Sequence, residues 1–255
     1  MLFTGLAQAQ LVHSYSLDAA GDPLADSIGS APLLNDSAVI FGDDDGLTFA
    51  TFDGPSFGTG DFLVVDESAG AFDLSGYTVT FWFRLETDSQ NNWTALFSSG
   101  DNNASDGAYQ IDFMNGALRL HGSSISAPIA TTSELGAGVW HLLTVTQDTI
   151  WLNGSPVDLG TTFSLPALKN FALGVNRGRG SVFKGDIADL RIYGSETQWD
   201  DTQQASAYAE GPGIPSAPNP GTVILISRLE PTPFDRIARG FLHGTAPRQS
   251  PALQQ

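Results

Sequence analysis

The stretch YQIDFMNGALRLHG, residues 109–122, decides the fold. Asn115-Gly116 is the preferred pair for a two-residue type I′ turn, because both residue types tolerate the positive φ that this turn demands. A hairpin closed there pairs Met114 with Ala117, Phe113 with Leu118, Asp112 with Arg119, Ile111 with Leu120 and Gln110 with His121. Side chains alternate along a strand, so Tyr109, Ile111, Phe113, Leu118 and Leu120 make an apolar face. Gln110, Asp112, Arg119 and His121 gather on the other. One face needs a core; the other is left for solvent or chemistry.

Outward from this hairpin the same pattern repeats. TVTFWFRL (78–85) places Val79, Phe81, Phe83 and Leu85 on one face and Thr78, Thr80, Trp82 and Arg84 on the other. WHLLTVTQDTIWL (140–152) reads as a second β pair turning near Gln147 to Thr149, followed by another Asn-Gly at 153 and 154. Further strands fit Phe171 to Val175 and Gly185 to Tyr193, the latter with Ile187, Asp189 and Arg191 alternating with Ala188, Leu190 and Ile192. A short helix fits Asp200 to Ala209. Short strands cut by Gly, Asp, Asn and Ser clusters predict an all-β fold, a two-sheet antiparallel β-sandwich.

Composition narrows the function. The 255 residues carry 11 Lys+Arg against 28 Asp+Glu, a net charge of -17. Nucleic acid is excluded as a partner, because binding phosphates needs a cationic stripe. No apolar run reaches the 18 to 20 residues or so of a membrane helix. With no cysteine, disulfides, thiolate metal sites and cysteine nucleophiles are all ruled out. Residues 1–9 end in Ala7-Gln8-Ala9, the small-x-small pattern of a signal-peptide remnant, which predicts a secreted or cell-surface protein. The globular domain is expected over 10–210. From 211 to 255 the chain reads as a Pro/Gly-rich linker and a weakly basic, flexible tail.

Seven runs, in order, resemble the laminin G-like jelly-roll domains of the concanavalin A-like lectin/glucanase superfamily, which includes the pentraxins. They are HSYSLD (13–18), ADSIG (25–29), ATFDG (50–54), LSGYTVTFWFR (74–84), ALFSSGD (95–101), GVWHLLTVTQDTIWLNGSPV (138–157) and FKGDIADLRIYG (183–194). The resemblance implies a jelly roll of two antiparallel sheets, one of them concave, in a secreted bacterial protein. The same fold hosts lectins, adhesion modules, glycosidases and lyases.

Candidate sites follow from residue chemistry. Asp-rich loops suit Ca²⁺, which takes oxygen ligands from turns. GDNNASDG (100–107) lies where pentraxins place a calcium loop, so the resemblance nominates Asp101, Asn102 and Asp106, with Asp53 and Asp61 as further ligands of one structural calcium. Glycosidases need two carboxylates flanking the bond, and the Glu-x-Asp-x-x-Glu run of jelly-roll glucanases is absent. A polysaccharide lyase would draw on Gln110, Asp112, Arg119 and His121. In the bland reading, that face is a solvent-facing hairpin with a weak Asp112–Arg119 pair. Sugar binding asks only for an exposed aromatic and a few fixed polar groups. For that role the candidates are Gln110, Arg119, His121, Trp93 in the turn SQNNWT, and Arg177 of an Arg-Gly-Arg turn, with Trp199 as a second exposed aromatic. His141 and Trp82 read as packed structural residues. The expectation is a non-catalytic module that binds a polysaccharide or another extracellular glycan or protein. A polysaccharide lyase or glycoside hydrolase, or an adhesion module without a small ligand, are the alternatives.

Overall fold

The computed structural model describes residues 10–35, 37, 39–44, 46–54, 60–66, 72–100, 107–122, 124–194 and 199–211. The expected signal remnant, Asp101, Asn102, Asp106 and the tail from 212 lie outside these residues.

Two antiparallel sheets face each other. The first runs Ser126–Thr131, Ala117–Gly122, Tyr109–Met114, Ala95–Ser99, Ala172–Leu173, Leu63–Val65, Leu33–Leu34. The second runs Ser155–Pro156, Ile150–Leu152, His141–Thr146, Tyr77–Leu85, Lys184–Gly194, Leu47–Asp53, Ile40–Asp44, with Gln10–Tyr15 also paired to Lys184–Gly194. The all-β sandwich expected from the sequence is therefore present. The central hairpin has the expected register, Met114 opposite Ala117 through Gln110 opposite His121. Its turn residues hold φ of 53° at Asn115 and 75° at Gly116, as type I′ requires.

The core lies between the sheets. Tyr109, Ile111, Phe113, Leu118 and Leu120 meet Val79, Phe81, Phe83 and Leu85 in one buried cluster. Tyr109 donates its hydroxyl proton to the Tyr77 hydroxyl at 2.5 Å, and Tyr77 donates to the Pro166 carbonyl at 3.3 Å, so neither buried phenol is left without a partner. A second, smaller apolar cluster forms on the outer face of the second sheet, where Trp82, Leu142, Tyr193 and Trp199 pack with Ala207 of the helix Asp201–Glu210.

Three expectations need correction. The strict alternation over 185–193 breaks at Asp189, which takes φ 51° in a bulge, so Leu190 and Ile192 join Ile187 in the core. The strand expected at Phe171 to Val175 shortens to Ala172–Leu173, because Val175 leaves the sheet to bridge Val182 in a loop. Trp199 is buried, its ring 4.8 Å from that of Tyr193. The sequence reading also passed over the short helix Thr132–Leu135, although Thr131-x-x-Glu134 is a legible capping box. The strand Ser126–Thr131 was likewise missed; its Pro128 fits an edge strand, where a ladder donor can be spared.

Candidate functional site

The outer face of the first sheet is built from cross-strand rows. Register places Ser98 beside Gln110, Gln110 beside His121 and His121 beside Ser126; the next row sets Asp112 beside Arg119. Asp112 is fully buried, and Arg119 grips both its oxygens, with Nε at 2.6 Å and Nη2 at 3.1 Å. The Gln110 amide adds a third donor to Asp112 at 2.6 Å. Arg119 also donates through Nη1 to Ser126 Oγ at 3.0 Å. The weak, solvent-facing pair considered in the sequence reading is thus replaced by a buried, two-pronged one.

The cover is the loop that carries the Arg-Gly-Arg turn. Residues 175–182 fold onto this face, pinned by the Asn176 side chain, whose Oδ1 accepts from the backbone N–H groups of Gly180 and Ser181. The Arg177 backbone N–H donates to Gln110 Oε1 at 3.0 Å, which completes the bonding of that buried amide. The Arg177 guanidinium donates to the Ala108 carbonyl and to His121 Nε2, each at 3.3 Å. Arg179 donates to Ser98 Oγ and to the Asn170 carbonyl, each at 3.2 Å. Arg177 is thus held by the hairpin and the residue before it, and Arg179 by the neighbouring strand and by Asn170.

Trp93 closes the group. It is 39% exposed and holds φ at 70°, a conformation rare for a bulky side chain and here tied down by its N–H to the Phe113 carbonyl at 2.7 Å. The Arg119 guanidinium lies 4.7 Å from its ring centroid, and His121 meets the indole edge-on at 5.4 Å. The structure therefore brings Trp93, Gln110, Arg119, His121 and Arg177 together from four separate chain segments. Gln110 and Asp112 are sealed beneath, so they position their neighbours and do not face a ligand.

The electrostatics of this face run against the chain's composition. Arg119 holds the buried Asp112 carboxylate, and the loop sets the Arg177 guanidinium against His121 on the same face. Burial pushes the His121 imidazole below its ordinary value; Asp112 opposes that shift, and Arg119 and Arg177 add to it. Because arginine can only donate, His121 Nε2 must accept from Arg177, which puts the proton of the neutral ring on Nδ1. That Nδ1 is buried without a hydrogen-bond partner. His141 is a contrast: it bonds at both nitrogens, to the Leu135 carbonyl at 2.7 Å and the Asn153 amide at 3.0 Å, as a packed structural residue does.

The calcium candidates are described only in part, since Asp101, Asn102 and Asp106 lie outside the described residues. Of the calcium set, Asp53 and Asp61 are near enough that burial and the Asp53 charge push the Asp61 carboxyl up. Among the described residues no three His, Cys, Asp or Glu side chains converge on a metal position. A groove of about 440 Å³ runs beside Asp148, Asp158, Leu159 and Phe163, away from every residue nominated from sequence. Among the described residues its lining holds acidic and hydroxyl groups and no cation.

Comparisons with known proteins agree with the architecture. The sequence matches the family model for laminin G-like domains of the concanavalin A-like lectin/glucanase superfamily over residues 57–202, more than half of the chain. A search of curated proteins gives no match. Among solved structures, domain 4 of AbnA, an extracellular arabinanase from Geobacillus stearothermophilus in complex with arabinotriose, is similar with a TM-score of 0.58 and 22% identity, covering 78% of this chain and 98% of that one. The binding domain of Paraclostridial Mosquitocidal Protein 1 follows at 0.55 and 18%, and Trypanosoma rangeli sialidase at 0.56 and 12%; they match over 78% and 80% of this chain. The match spans 52% of the first of these and 33% of the second. At such identities the likeness speaks for the fold alone. Sheet order, hairpin register and the extent of the family match together place the chain in the concanavalin A-like lectin/glucanase superfamily, to which it belongs.

Proposed function

We propose that this chain is a secreted, non-catalytic binding module that seats a carbohydrate on the outer face of the hairpin sheet. The observation that supports this most is the half-exposed Trp93, held at positive φ among Arg119, His121 and Arg177. A sugar needs an aromatic surface for its C–H face and a few immobilised polar groups around it. The similar structures, an arabinanase domain with arabinotriose, a toxin binding domain and a sialidase, are compatible with such a role.

Catalysis finds less support. A lyase drawing on Gln110, Asp112, Arg119 and His121 would need its polar groups to reach substrate, and Gln110 and Asp112 have no surface to offer. The deciding experiment is a glycan array on the whole chain, followed by calorimetry. Binding that Trp93→Ala weakens at least about tenfold, with little change in melting temperature, is the expected result. Turnover of plant or algal polysaccharides that disappears in Arg119→Ala or His121→Ala would replace this reading with an enzymatic one. An array without hits would leave an adhesion module.

A further inference from the structure

Arg177 is a half-buried cation with no carboxylate partner among the described residues. Arg119 and Asp112 neutralise each other through two hydrogen bonds. Arg177, half-buried beside them, donates only to a carbonyl and an imidazole, both uncharged acceptors, and among the described residues no carboxylate lies within 4 Å of it. Hydrogen bonds to neutral groups orient a guanidinium without cancelling its charge. A half-buried, unmatched cation is costly to keep, and proteins ordinarily pair it. Here it stands in a chain of net charge -17, in which a partner would be easy to supply.

The position is also prepared in advance. The Asn176 turn and the Arg177 N–H bond to Gln110 fix the loop, and the two side-chain bonds fix the guanidinium, so little ordering remains to be done when a ligand arrives. Beside it stand a neutral His121 and the exposed indole of Trp93. Guanidinium forks match planar oxyanions, and an indole matches a pyranose face.

Building on the binding role proposed above, we infer that the ligand is an acidic sugar, whose anionic group is received by Arg177 while its ring lies against Trp93. The shared chemistry is an oxyanion on a pyranose, a carboxylate or a sulfate.

The test uses the whole chain and four trisaccharides in calorimetric titrations: trigalacturonate, its full methyl ester, neutral galactotriose, and a sulfated galactan trisaccharide. At least one acidic sugar is expected to bind at least about tenfold more tightly than the neutral two, with the preference fading as salt is raised. Which of the two anions binds more tightly identifies the group. Arg177→Gln should erase the preference and leave weak binding of all four; Arg177→Lys should retain part of it. Trp93→Ala should weaken acidic and neutral sugars alike. Equal binding of acidic and neutral sugars by the wild type, or an acid preference that survives Arg177→Gln in a folded protein, overturns the inference and leaves the carbohydrate-binding role standing. If neutral and acidic arrays alike give no binding, both fall together.

Discussion

The two outer faces of the sandwich are built from the same parts and come out opposite. On the second sheet, Arg84 donates to Asp186 at 2.6 Å and to Asp44 at 3.0 Å, and its guanidinium sits 5.0 Å from Phe49 and 4.8 Å from Trp140. On the first sheet, Arg119 holds Asp112 and stacks on Trp93. Each is an arginine locked to a carboxylate beside a tryptophan. The difference lies in the surroundings. Arg84 has two carboxylates and two aromatic neighbours, so its charge is more than answered. Farther along that face, the helix Asp201–Glu210 covers Trp82, whose ring stacks on Tyr208. On the first sheet a loop brings Arg177, which meets no carboxylate among the described residues, and an indole is left half open. An arginine–carboxylate–aromatic cluster is thus ordinary scaffolding when it is saturated and a candidate binding surface when it carries surplus charge and an uncovered ring.

The comparison breaks most easily at the carboxylates. Asp112→Ala should cost about 3–5 kcal/mol in urea unfolding, because it strands Arg119 and the Gln110 amide in a buried site. Asp44, 54% exposed, should cost less than about 1 kcal/mol when changed to alanine. Equal losses would mean that the two faces are energetically alike. Next in size, Trp93→Ala should reduce sugar affinity at least about tenfold, or about 1.4 kcal/mol, with little change in melting temperature. On the covered face, Asp200→Ala removes the N-cap that accepts from the Gln203 N–H at 2.8 Å and should cost about 1 kcal/mol in thermal unfolding.

The smallest effect concerns protons. The folded His121 has a pKa below its ordinary 6.5, so the unfolded chain takes up the proton more readily. Its contribution to stability is complete above about pH 6.5 and declines as pH falls from there through the lowered folded value. Melting curves between pH 7.5 and 5 should show this decline in the wild type and less of it in His121→Gln. Protonation would also set an imidazolium against Arg177, so affinity for a ligand at this face should change over the same range.

Local rules carried the reading a long way. Asn115-Gly116 and strict alternation determine the hairpin, its register and which of its residues enter the core, because a type I′ turn admits few residues and a one-residue slip would expose every apolar side chain. The same rules gather Gln110, Asp112, Arg119 and His121 on one face. Parity failed where one residue, Asp189, leaves the β region, since nothing in GDIADLRIY marks the bulge. Short-range patterns also put Trp199 at the surface, because its burial depends on Tyr193 and on where the helix lies.

What only the tertiary structure decided is the state of that polar face. Residues 175–182 stand more than 50 positions beyond the hairpin in the chain, and no periodicity says that their arginines will dock on Ala108, His121 and Ser98. Their arrival gives the buried Gln110 amide a backbone donor and sets Arg177 on the face with no carboxylate partner among the described residues. By itself the sequence determined which side chains share a face, since that depends on backbone geometry between near neighbours. Which of them remain exposed, and with what net charge, depends on long-range contacts, and those exist only once the chain has folded.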